Sequence, residues 1–113
     1  MKKATVAITS TSSGNTYDIT AIENEGRISL QCSCAAGEKG SFCKHRLQIL
    51  TGNYSGVTGD IEEVKAILST DAVKKFTVEY LSTLKTLEAD EKRIKMAIAD
   101  HKKKFSRALL SGF

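Results

Sequence analysis

Residues Gln31 to Leu50 read QCSCAAGEKGSFCKHRLQIL, and this stretch holds all three cysteines of the chain with one of its two histidines. Their order is Cys32, Cys34, Cys43, His45: two pairs, each skipping one residue, separated by a loop containing Gly37 and Gly40. In a strand, residues i and i+2 point to the same face, so Cys32 and Cys34 can offer both sulfurs to one ion. Residues two apart diverge around a helix. The second pair therefore works only if Cys43 lies at a helix start, with His45 reaching back from the first turn. Ser41 is the expected N-cap, Leu47, Ile49 and Leu50 the apolar face, and Thr51-Gly52 the stop.

Three thiolates and one imidazole in tetrahedral arrangement favour Zn²⁺ over Mg²⁺ or Ca²⁺. The expectation is one structural Zn²⁺ per chain, held by Cys32, Cys34, Cys43 and His45. Lys39, Lys44, Arg46 and the helix N-terminus would moderate the net negative charge of three thiolates on a divalent ion. The competing readings are buried thiols, or a disulfide with a spare. An odd cysteine count argues against a disulfide framework, Cys-x-Cys is a poor disulfide, and neither alternative explains the histidine.

Cys-x-Cys, eight intervening residues, then Cys-Lys-His, preceded by strands with Tyr17 and followed by a Leu/Ile-rich helix, resembles a SWIM-type zinc finger. The resemblance covers roughly Thr16 to Leu50. It departs from the family where a proline is common after the second cysteine, since Ala35-Ala36-Gly37 stands there. What it implies is a metal-binding role and the binding of DNA or of proteins.

Upstream, Ala4, Val6 and Ile8 alternate with Thr5, Ala7 and Thr9, which reads as a strand. Ser12-Ser13-Gly14-Asn15 is a turn signal, Thr16 to Glu23 a second strand with Tyr17, Ile19 and Ala21 on one face, and Asn24-Glu25-Gly26 a second turn. Arg27 to Cys32 is the third strand; Ile28, Leu30, Cys32 and Cys34 share parity, so the metal pair continues the buried face. The expected fold is α+β: a small antiparallel β-meander with a zinc-bound short helix, followed by a long C-terminal α-helix.

Residues 51 to 59, TGNYSGVTG, read as a Gly-rich linker. The expected organisation is a SWIM-like finger over 1–52, a linker over 53–59 and a helical, coiled-coil or partner-binding region over 60–113. Asp60 and Glu63 have the form of a capping box, so a helix should start at Ile61. Ser69-Thr70-Asp71 interrupts it or caps a second helix, and nothing then stops a helix until Gly112. Val73, Phe76, Tyr80, Leu84, Leu87, Ile94, Ile98, Phe105 and Leu109 form one apolar stripe, with Glu91 and His101 at polar positions within it. A helix of ~40 residues is about 60 Å long, too long for a small finger to cover, so the stripe calls for another copy, a fold-back or another protein.

The chain of 113 residues carries a net charge of +4, and the charge is segregated. From Lys92 onward the cations are Lys92, Arg93, Lys95, Lys102, Lys103, Lys104 and Arg107, against Asp100 alone. Such an end can track nucleic-acid phosphates, as can Lys39, Lys44 and Arg46 beside the metal ligands; equally, it can be a solvated face complementing the helix dipole. No apolar run reaches the ~20 residues of a membrane span and no signal peptide is evident, so a reducing compartment is expected: cytoplasm, nucleoid or nucleus. No phosphate loop, catalytic triad or small-molecule substrate frame is present, and four protein ligands leave zinc no open position for water. The expected function is a non-enzymatic zinc-finger protein binding DNA, the alternative an interaction or oligomerisation module in which zinc only folds the domain.

Overall fold

The computed structural model describes all 113 residues. Three strands, β1 (Lys2–Thr9), β2 (Thr16–Asn24) and β3 (Arg27–Cys32), are followed by two short helices, α1 (Ala35–Glu38) and α2 (Lys44–Leu50). A strand β4 (Val57–Gly59) and two helices, α3 (Ile61–Leu68) and α4 (Asp71–Ser111), complete the chain. The α+β class and the long C-terminal helix are those expected. The chain divides into two compact units, Met1–Thr77 and Val78–Phe113.

In the first unit the strands form one antiparallel sheet in the order β3-β2-β1-β4. The β2–β3 hairpin closes through Glu25 and Gly26, both at positive φ, the backbone that a two-residue turn between twisted strands requires. Register decides which side chains are buried. Val6 pairs with Ile19 and Ile19 with Cys32, so these three form one row across the sheet. Ala4, Ala21 and Leu30 form the next row. Ala4, Val6, Ile19, Ala21 and Cys32 are buried. The opposite face carries Thr5 and Thr20, whose hydroxyls are hydrogen-bonded at 3.1 Å, as on a sheet with one wet face.

The buried face is covered by helices. α3 packs on β1 and β2, while α1 and α2 pack beside β3. Val64 and Ile67, one turn apart on α3, are buried with Ile8, Ile49 and Val57 in the same core.

The linker expected over 53–59 is therefore corrected. Val57–Gly59 is an edge strand whose residues pair with Val6, Ala7 and Ile8 of β1, and Asp60 N–H donates to the Thr5 carbonyl at 3.2 Å. The unit extends through α3, and the division of the chain falls inside α4. α3 does start at Ile61, but the Asp60 side chain makes no cap hydrogen bond. Ser69-Thr70 does separate α3 from α4, and Thr70 Oγ1 accepts from Val73 N–H at 3.3 Å. Tyr54 packs against the core, with Lys65 Nζ 4.9 Å from its ring centroid.

The second unit is helical. α4 runs 41 residues without interruption, and none of its residues is buried.

Candidate metal centre

Three elements deliver the cluster. Cys32 ends β3 on the buried row. Cys34 lies beyond the strand, as the N-cap of α1, where its Sγ accepts from Gly37 N–H at 3.3 Å. Cys43 is the N-cap of α2 and His45 lies in its first turn. Cys43 takes the capping position expected of Ser41, and its side chain makes no cap hydrogen bond. Instead its sulfur joins the cluster.

All four side chains are buried, between 4% and 8% exposed. Cys34 Sγ lies 3.4 Å from Cys43 Sγ, and His45 Nδ1 lies 3.6 Å from Cys43 Sγ and 3.8 Å from Cys32 Sγ. The four donor atoms all fall within 4.8 Å of one another. A tetrahedral ion with bonds of about 2.0–2.3 Å needs donors roughly 3.3–3.8 Å apart. The closest contacts already have that spacing, so the four residues can hold one metal ion. Nδ1 is the nitrogen turned to the sulfurs; Nε2 is buried and finds no hydrogen-bond partner within the protein. The His45 ring lies 5.0 Å from that of Tyr17, tilted by 38°.

The thiols divide the charge unevenly. Burial, with the neighbouring Cys34 and Cys43 sulfurs, pushes the Cys32 thiol up to about 12. Burial also works against ionising Cys34, but hydrogen bonds from Gly37 N–H, His45, Cys43 and Cys32 outweigh it and bring this thiol down to about 6. Sulfurs packed this closely resist a second negative charge, and a divalent cation removes that resistance.

Two residues support the site in ways the sequence did not indicate. Arg46 donates from one guanidinium nitrogen to the Leu30 carbonyl at 3.4 Å and from another to the Ser41 carbonyl. It ties α2 to β3 and to the loop between the ligand pairs. Gly37 passes so close to Cys32 that a Cβ there would overlap the Cys32 carbonyl oxygen and Cβ. Its position three residues after Cys34, at the distance of an N-cap bond, is the only hint the sequence carries. Gly37→Ala is expected to push α1 off Cys32 and to weaken metal binding, with stability falling by about 2 kcal/mol. Competition against a chromophoric chelator and a urea melt measure both; an unchanged affinity would remove Gly37 from the site.

The remaining expected site residues are spread over both units. Lys39 is exposed, and Lys44 Nζ donates to Ser12 Oγ at 3.4 Å. With Arg46 tied to two carbonyls, Lys39 is the one of these three cations beside the cluster whose side chain makes no hydrogen bond or ion pair. In the second unit Lys92, Lys95, Lys102, Lys103, Lys104 and Arg107 are all exposed on α4. Lys95 pairs with Glu91 at 2.9 Å and Arg93 with Asp90 at 3.5 Å. No helix is long and apolar enough to cross a membrane. Compared with models of known protein families, with curated proteins and with solved structures, the chain finds no match.

Proposed function

We propose that the cluster holds one structural Zn²⁺ and that the chain is a non-enzymatic zinc-finger protein binding nucleic acid through its helical end. Zinc is favoured by the donor set, since three thiolates with one imidazole is a closed structural zinc site. Four protein donors leave no position for a reacting water, which argues for folding and against catalysis. The order Cys-x-Cys then Cys-x-His between a meander and a short helix is similar to the SWIM-type finger, and the proposal places the chain near that family.

The observation that carries the nucleic-acid reading is the run Lys102, Lys103, Lys104 and Arg107, fully on the surface of α4 and held in no ion pair. Cations of this kind neutralise phosphates without reading sequence, and each contact releases counterion. Fluorescence anisotropy with a labelled duplex, repeated at rising salt, tests it. Replacing Lys102, Lys103 and Lys104 by Ala is expected to weaken binding about tenfold or more on every sequence and to flatten the salt slope. Absence of binding at low salt would leave the adaptor reading.

That second reading has its own observation. None of the 41 residues of α4 is buried, yet Leu87, Ile94, Ile98 and Phe105 stand more than half exposed along it. An apolar stripe of this length is a surface for association, with a second copy or with another protein.

A further inference from the structure

We propose that the second unit pairs with the same segment of a second copy of this chain, antiparallel and centred on Met96. The proposal rests on the association reading of α4 and adds the partner, the orientation and the register.

The helix is unbroken from Asp71 to Ser111, so its seam can be counted. Taking Thr77 and Ala108 in place of the neighbouring Phe76 and Leu109, the positions Thr77, Tyr80, Leu84, Leu87, Glu91, Ile94, Ile98, His101, Phe105 and Ala108 follow alternating steps of three and four. That is the seam of a two-stranded coiled coil. Beyond Thr77 at its start, two of its layers are polar, Glu91 and His101, and they lie at equal distances on either side of Met96.

Reversing the helix about Met96 brings these layers together. Glu91 faces His101 of the second copy, Ile94 faces Ile98, and Leu87 faces Phe105. The carboxylate then accepts from the imidazole N–H, and no polar group is stranded in the seam. Sliding the pairing by one heptad either way sets Glu91 against Ala108 or Ile94, and His101 against Ile98 or Leu84. Two flanking pairs agree with the same register: Glu88 falls beside Lys102 of the second copy, and Asp90 beside Lys104, while Lys95 meets its own counterpart at the two-fold and keeps its ion pair with Glu91. Opposite charges at these positions select partner and orientation. A parallel pair would stack Glu91 on Glu91, His101 on His101, and the two lysine-rich ends on each other. The reversed segment covers residues 79 to 113, which is nearly the whole second unit, Val78–Phe113. Lys92, Arg93, Lys103 and Arg107 stay on the outer surface, where phosphates can reach them.

Charge exchange in the full-length protein tests this. Sedimentation equilibrium should find the unaltered protein dimeric at micromolar concentration. Glu88→Lys with Asp90→Lys sets like charges together at four places in the dimer and should weaken it about tenfold or more. Adding Lys102→Glu and Lys104→Glu to the same chain should restore the dimer, because each new lysine again meets a carboxylate. Helical circular dichroism and metal content establish that every variant is folded. A protein that is monomeric at high micromolar concentration overturns the association reading itself. A dimer that the double substitution leaves intact, or that the quadruple substitution fails to restore, overturns the antiparallel register alone.

Discussion

Stripping the metal ion from Cys32, Cys34, Cys43 and His45 is expected to unfold the sheet of the first unit while leaving the helical signal of the second. Three of the twelve buried apolar side chains of this chain are the cysteines themselves. An ion held by these residues would therefore sit among core side chains, and its loss would leave them without a partner. A unit of this size has a net stability of about 4–12 kcal/mol, while structural zinc in finger peptides binds with about 10–16 kcal/mol. Losing the second term removes the first. Cys34→Ser should act in the same direction, and it separates two roles of this residue. Serine is a good N-cap, so it can replace the hydrogen bond from Gly37 N–H, but it cannot replace the thiolate. Lowering the pH also releases the ion, since protons compete for the three sulfurs and for Nδ1, and affinity falls as pH falls. Chelator titration followed by amide exchange measures the outcome: β1, β2 and β3 lose protection and far-ultraviolet helicity largely persists. A sheet that remains ordered without metal would overturn a structural role for the site.

The Cys/His cluster and the first three strands could be read from the sequence because both are local periodicities. Alternation places Val6, Ile19 and Cys32 on one face whatever lies above them, and register then sets them in one row. The parts that escaped are those that exist only by contact. Val57–Gly59 has the composition of a loop and is a strand because β1 offers it an open edge. α3 could be placed from Ile61 onward, but nothing in IEEVKAIL says that Val64 and Ile67 enter the core of a meander that ends at Cys32. The capping residues were misread for a related reason. Ser41 is a better helix cap than cysteine by propensity, yet Cys43 takes the position because its sulfur has a stronger claim on the cluster. Gly37 reads as one glycine of a loop and is a close backbone approach.

Where the first unit ends decides the second large effect. A fragment ending at Gly52 contains all four metal ligands and the three strands of the meander, and it is expected not to fold cooperatively. A fragment ending at Thr77 is expected to fold. The difference lies in what the shorter chain leaves bare. Without residues 53 to 77, β1 has an unpaired edge along Val6, Ala7 and Ile8, and nothing covers the face that α3 packs against on β1 and β2. Val57, Val64 and Ile67 leave the core. Full burial of such side chains stabilises by about 1.5–3 kcal/mol each, so their loss costs about 5–9 kcal/mol, most of what a unit of this size has. The ligands of the shorter fragment can still gather around an ion, but the binding energy must then also order the sheet. Its metal affinity should fall about a hundredfold or more. Thermal melts with saturating zinc and chelator competition on the two fragments give the comparison. A fragment of residues 1 to 52 that melts as sharply, and binds as tightly, as residues 1 to 77 would return the boundary to the Gly-rich segment and make α3 a passenger.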